Sequence, residues 1–112
     1  MTDFSRYRTI RAERRGRILT LVLDRTAKLN AVDEAMHGEL ASIFDDASDD
    51  AGSDVIVLTG AGRAFSAGGD IGWMQKMIDE GFGQTAREAR RIVNTLLDCE
   101  KPVIAKLNGH AA

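Results

Sequence analysis

The stretch Val55-Ile56-Val57-Leu58-Thr59, Gly60-Ala61-Gly62-Arg63-Ala64-Phe65-Ser66-Ala67-Gly68-Gly69-Asp70, Ile71-Gly72-Trp73-Met74 decides the fold. Its apolar, β-branched opening predicts a buried strand. A glycine-rich loop follows, and Asp70 stands where a helix can begin. Glycines let a ligand come close to backbone N–H groups, because no side chain blocks the approach. A helix start adds positive potential at the same point. The loop from Gly60 to Asp70 is therefore the candidate site of function, and the rest of the chain its support.

Upstream, Ile18-Leu19-Thr20-Leu21-Val22-Leu23 predicts a strand, and residues 7–14 a preceding one across the turn Arg15-Gly16. The two can pair as a hairpin. Asp24 to Val32 reads as a connecting loop. Asp33 is a suitable N-cap, and Met36, Leu40, Ile43, Phe44 and Ala47 share one helical face. Asp45, Asp46, Asp49 and Asp50 read as a solvated, fraying helix end. Their spacing lacks the calcium-loop pattern.

Downstream, Trp73, Met74, Met77 and Ile78 predict a short helix that Gly81 and Gly83 interrupt. Thr85-Ala86-Arg87-Glu88 has the form of a capping box. It would open a helix with Ala89, Ile92, Val93, Leu96 and Leu97 on one face. Lys101-Pro102 ends that helix, Val103 to Leu107 forms a third strand, and Asn108-Gly109 is a turn. Strands alternating with helices predict an α/β protein with a largely parallel sheet. Strand, helix and strand from Ile18 to Thr59 make a right-handed crossover. An apolar parallel strand at 103–107 calls for cover on both faces, and left open it is an association hazard.

Length and composition fit one ordinary globular domain: 112 residues, 44% hydrophobic and 29% charged. The net charge of -2 argues against a general nucleic-acid binder. The arginines at 6, 8, 11, 14, 15 and 17 are interrupted by Asp3 and Glu13, and read as a solvated strand face. No stretch approaches the roughly 20 apolar residues of a bilayer span. The single cysteine, Cys99, permits no internal disulfide and makes a Cys-based zinc site an unfavoured reading. It reads as a buried, inert thiol, which fits a reducing, cytoplasmic setting.

Three chemistries compete for the loop. Dinucleotide binding fits poorly, because Phe65 stands at the third glycine position of G-x-G-x-x-G. No Gly-Lys-Ser/Thr follows, so it is not a phosphate loop either. Tight turns alone account for Gly60 and Gly62 but leave Ala67-Gly68-Gly69-Asp70 unexplained. An oxyanion hole accounts for that segment. A backbone N–H at Gly69, just before a helix, can donate to an oxygen that becomes negative during reaction. Asp70 is then an N-cap, not a proton-transfer acid.

Gly62-Arg63-Ala64-Phe65-Ser66-Ala67-Gly68-Gly69-Asp70-Ile71 resembles the oxyanion loop of the crotonase, or enoyl-CoA hydratase/isomerase, superfamily. Leu23-Asp24-Arg25 through Leu29-Asn30-Ala31-Val32, the strand before the loop, Lys101-Pro102-Val103-Ile104-Ala105 and Asn108-Gly109-His110-Ala111 are similar to further segments of that family, in the same order. The resemblance covers almost the whole chain. It implies a spiral of ββα units, of which residues 1–112 correspond to the N-terminal part. It implies acyl-CoA thioesters as substrates, coenzyme A arriving as part of the substrate rather than as a separate cofactor. It also implies a homotrimer or hexamer for the complete protein.

The resemblance further implies that the Gly69 N–H is one of two donors to a thioester oxyanion. Ala67, Gly68, Gly69, Asp70, Ile71 and Gly72 would border the thioester and coenzyme A, and Lys28, Leu29 and Ala31 the nucleotide end. Trp73 and Met77 would line an acyl pocket or pack as ordinary helix residues. Thr26 and Lys106 depart from the family pattern. The second oxyanion donor and the two acid–base glutamates of the hydratases map beyond Ala112, so neither glutamate has a counterpart among these residues. His110 is the nearest histidine to the turn; it is a base by residue type, but a lone histidine after a turn reads first as structural or solvated. Glu80, Glu88 and Glu100 read as helix-surface residues. Hydration of a 2-enoyl-CoA is the expected parent activity. Double-bond isomerisation, a non-catalytic coenzyme A-binding module and a structural subunit stand as alternatives.

Overall fold

A computed structural model describes residues 1–112. Its elements follow as β1 (Ile10–Arg15), β2 (Ile18–Leu23), a 3-10 turn (Thr26–Lys28), α1 (Glu34–Asp49), β3 (Val55–Gly60), β4 (Ala64–Ser66), α2 (Ile71–Glu80), α3 (Gly83–Asp98), β5 (Val103–Ala105) and β6 (His110–Ala111). The order is a ββα spiral: β1–β2–α1, then β3–β4 with α2 and α3, then β5–β6. The four-stranded sheet runs β1-β2-β3-β5, and β4 and β6 form a separate two-stranded ladder. β1 and β2 are antiparallel, as a hairpin requires, whereas β3 lies parallel to both β2 and β5. The fold is the expected α/β arrangement with a mostly parallel sheet.

The core lies between the sheet and α1. Leu19, Leu21 and Leu23 alternate along β2, so all three point to the same face and are buried. Ile56 joins them from β3, and α1 answers with Met36, Ile43, Phe44 and Ala47. Asp33 caps α1 by accepting from the Met36 N–H at 2.9 Å. α3 packs alongside α1, and Ile92 and Cys99 touch the edge of the core.

Several sequence expectations change. β3 is fully buried only at Ile56, because α1 covers one face of the sheet and leaves Val55 and Val57 half-covered. β5 is an edge strand with Ile104 exposed. The capping-box reading of Thr85 and Glu88 is wrong: α3 already begins at Gly83, with Phe82 at its N-cap and no side-chain cap. Glu88 instead reaches α1, where its Oε1 meets His37 Nδ1 at 2.8 Å. Of the α3 face, only Ile92 is half-buried, while Val93, Leu96 and Leu97 are exposed. Cys99 is half-buried and caps the end of α3.

The acidic end of α1 is not simply solvated either. Asp50 is buried and receives a two-pronged contact from Arg14, at 2.8 and 2.9 Å, together with the Thr2 N–H at 2.8 Å. Asp46 pairs with Arg6 and the Tyr7 hydroxyl. The Arg14 fork ties β1 to the end of α1, because a planar guanidinium matches both carboxylate oxygens. It holds the Asp50 carboxyl well below the usual carboxylate range. No helix is long and apolar enough to cross a membrane.

Candidate active site

Between β3 and α2 the chain runs beside the segment 25–32, and backbone hydrogen bonds stitch the two together. Ala67 N–H donates to Leu29 O at 3.0 Å, Val32 N–H to Gly68 O at 2.7 Å, and Asp70 N–H to Val32 O at 2.8 Å. Val32 and Gly69 thereby form a parallel bridge. Gly68 has φ 94°, a left-handed conformation that L side chains rarely adopt. Ser66 braces this turn, donating to Asn30 O at 2.8 Å and accepting from Gly68 N–H at 3.1 Å.

Two asparagines hold the first part of the loop. Asn30 is fully buried, with φ 55°. Its Nδ2 donates to Ala61 O and Ala64 O, both at 2.9 Å, and its Oδ1 accepts from Arg25 N–H at 2.7 Å. Asn108 grips from the exposed side, donating to Gly62 O at 3.0 Å and Ala64 O at 3.1 Å and accepting from Gly60 N–H. Next to it, Gly109 lies so near Arg63 that a Cβ would sit 2.0 Å from Arg63 O, so only glycine fits.

The amides beyond this brace divide into used and free. Gly68 and Asp70 N–H groups have the partners given above. The N–H groups of Gly69, Ile71 and Gly72 donate to no acceptor within the protein. Those of Ile71 and Gly72 belong to the first turn of α2, where helix geometry supplies no partner. Asp70 caps the helix, accepting from Trp73 N–H at 3.0 Å. That hydrogen bond, aided by Arg25 and Lys28, lowers the Asp70 carboxyl below its ordinary value. Asp70 is thus an ionised cap, unsuited to delivering a proton near neutral pH.

Lys28, Ala31, Ala67, Gly69, Asp70, Ile71 and Gly72 line one cavity of ≈ 440 Å³. Seven of the nine residues singled out from the sequence are brought together there. The other two, Leu29 and Gly68, contribute backbone carbonyls to the stitching instead. Met74 reads in the sequence only as a helix residue, yet its Sδ would lie 2.9 Å from a Cβ on Gly69. Its position one turn into α2, beside the free amide, was the available signal.

Trp73 and Met77 do not line this cavity. They face a second one, of ≈ 450 Å³, with Glu34, Lys76, Glu80 and Glu88. The Trp73 ring lies 5.0 Å from the His37 ring. His110 sits on β6, exposed and paired through its backbone with Ala64. Glu80 and Glu100 are exposed. No group of three or more His, Cys, Asp or Glu side chains is placed to hold a metal ion.

A family model described as enoyl-CoA hydratase/isomerase matches residues 13–112. This chain belongs to the enoyl-CoA hydratase/isomerase family. A probable enoyl-CoA hydratase of Rhodobacter capsulatus is 36% identical over 109 residues, covering 95% of this chain and 40% of that protein. A crotonyl-CoA hydratase of Syntrophomonas wolfei is 30% identical over 109 residues, covering 94% of this chain and 41% of the relative. Among solved structures, an enoyl-CoA hydratase/isomerase from Mycobacterium paratuberculosis superposes with a TM-score of 0.84 at 36% identity, covering 90% of this chain and 41% of that one. The crotonase fold is therefore established. The chain spans about 40% of the length of these relatives.

Proposed function

We propose that this protein takes part in acyl-CoA chemistry of the enoyl-CoA hydratase/isomerase type, hydrating a 2-enoyl-CoA through an oxyanion-stabilised thioester enolate. The observation that carries the reading is the free Gly69 N–H at the wall of the 440 Å³ cavity, beside the start of α2. As water adds across the double bond, its oxygen bonds to the β carbon and gives up one O–H proton. The displaced electron pair moves through the α carbon onto the thioester oxygen. Collapse of that enolate with a proton at the α carbon gives the 3-hydroxyacyl product. A donor aimed at the developing charge is worth about 3–4 kcal/mol of transition-state stabilisation. Gly69 supplies one such donor, the helix start adds favourable potential, and Lys28, Leu29 and Ala31 border the nucleotide end.

Residues 1–112 serve in this reading as the N-terminal part of the domain and hold one of two oxyanion donors. No proton-transfer role is assigned to them. The complete protein assembles as a homotrimer or hexamer, which sedimentation would test. Isomerisation would use the same oxyanion donor for a different intermediate: a proton leaves the α carbon of a 3-enoyl thioester, the electron pair spreads over a dienolate, and a proton returns at the γ carbon with no water added. A second reading, binding of coenzyme A without turnover, is favoured by one observation: Asp70, the carboxylate at this cavity, is committed to its cap.

The test is loss of enoyl-thioester ultraviolet absorbance with the full-length protein, with the product examined for a hydroxyl or a moved double bond. Gly69→Pro removes the N–H and should lower kcat by roughly 100-fold or more. Unchanged turnover in that variant would remove Gly69 from the oxyanion site. Saturable coenzyme A binding with no turnover would favour the second reading.

A further inference from the structure

Arg25 faces the N-cap carboxylates of both α1 and α2. Its guanidinium is mostly covered, and each of its three nitrogens has a separate partner. Nε lies 3.4 Å from Asp33 Oδ2, Nη2 lies 3.5 Å from Asp70 Oδ2, and Nη1 donates to Ala31 O. Both carboxylates divide their oxygens in the same way. Oδ1 of Asp33 accepts from Met36 N–H and Oδ1 of Asp70 from Trp73 N–H, while each Oδ2 faces the arginine. The backbone of Arg25 is fixed too, since its N–H donates to Asn30, which also grips the loop at Ala61 and Ala64.

We propose that Arg25 is a positioning residue: it ties the start of α2 to the start of α1 and thereby sets where the first turn of α2, with its free Ile71 and Gly72 N–H groups, stands against the Gly69 donor and the cavity. Asp70 follows Gly69 directly, and its N–H is bonded to Val32 O, one residue before Asp33. The Gly69 N–H itself belongs to the Gly68–Gly69 peptide, which Val32 N–H already holds through Gly68 O at 2.7 Å, so a shift of the Asp70 carboxylate moves the first turn of α2 relative to that fixed donor. The planar fork makes this possible, because a lysine ammonium is a single point charge that cannot answer two carboxylates and a carbonyl at fixed angles. Misplacement of about 1 Å at a reacting centre can cost on the order of 100-fold in rate. The catalytic consequence rests on the reading of Gly69 as an oxyanion donor, whereas the coupling of the two caps does not.

The full-length protein gives two independent readouts. Asp33→Asn keeps an acceptor for Met36 N–H but removes the charge facing Arg25. It should shift the Trp73 backbone amide resonance, although Trp73 lies at the other helix start. In Arg25→Met, and in Arg25→Lys should the first variant fail to fold, Asp33→Asn should leave that resonance in place. A Trp73 resonance that ignores Asp33→Asn in the otherwise native protein overturns the proposal. So does one that still responds in Arg25→Lys when His37→Ala has removed the ring contact between Trp73 and α1. In the hydration assay Arg25→Met should lower kcat roughly tenfold or more and leave KM within about twofold, the pattern of an interaction realised in the transition state. A raised KM with unchanged kcat would show that Arg25 contacts substrate instead, and overturns positioning. No hydration by the unmodified protein would refute the proposed function, while the Trp73 resonance would still decide the role of Arg25.

Discussion

All 19 buried residues fall between Phe4 and Ser66, while α2 and α3, which come later, bury none. The hairpin, β3 and α1 are joined by apolar burial, which is strong and non-directional. α2 and α3 meet them through half-covered contacts, Trp73 against His37 and Ile92 and Cys99 at the core edge, and through polar ones: Arg25 with Asp70, the His37–Glu88 pair and the Lys76–Glu34 bridge. Burial decides that two elements meet, whereas directional bonds decide at what angle. The candidate loop lies on the seam between the two regimes. One side of it is anchored in the core through Asn30, and the other opens into α2.

The contrast can be broken first where burial is greatest. Phe44→Ala should cost about 3–5 kcal/mol of stability, measured by urea unfolding, because the side chain is fully buried. Asn30→Ala comes next. It strips partners from Ala61 O, Ala64 O and Arg25 N–H, and should cost about 2–3 kcal/mol at the scale of unsatisfied buried groups. Asn108→Ala, on the exposed side, should cost about 1 kcal/mol or less by the same assay. A larger loss at Asn108 than at Asn30 would reverse the proposed anchoring.

Acid should act on the buried side of the seam. Asp50 has its folded-state pKa lowered, chiefly by Arg14, so the unfolded chain binds the proton more readily. Its contribution is complete above the ordinary carboxylate pKa of about 4 and shrinks as pH falls below it. Asp50→Asn should flatten that acid limb in melts recorded from about pH 5 to pH 2. At the alkaline end Tyr7 does the opposite. Burial and its bond to Asp46 push it up to about 12, so its contribution is whole below about pH 10 and lost as pH rises through the folded value. Leu97→Ala on α3 carries the smallest expected effect, within about 0.5 kcal/mol, because that side chain is 76% exposed.

Legibility followed the same seam. The strands at 18 and 55, the Asp33 cap and the Asp70 cap could be read because each is announced by neighbours in sequence. The glycine loop itself could be read because it is contiguous, whereas Lys28 and Ala31 enter only through the resemblance to a known family. β4 and β6 are too short to show an alternation, and they exist only because they pair across a gap of more than forty residues. Asp50 reads wrongly as solvated, and Arg25 and Asn30 stand out only within a family resemblance, for a related reason: what makes each one matter is a partner distant in sequence. Asn30 did leave one trace, since asparagine tolerates its left-handed conformation better than most residues. The Thr85–Glu88 motif misled because a local pattern competes with tertiary partners, and His37 took the glutamate.

One atom, the carbonyl oxygen of Ala64, accepts from both Asn30 and Asn108, at 2.9 and 3.1 Å. Each amide also holds a second carbonyl within the same turn, at Ala61 and Gly62. The two asparagines thus measure the segment like a ruler. Side chains between Gly60 and Ala64 that point to solvent can vary at little cost. An inserted or deleted residue would move Ala64 O off both marks at once. Descendants of this sequence should therefore drift in spelling at this turn while keeping its letter count.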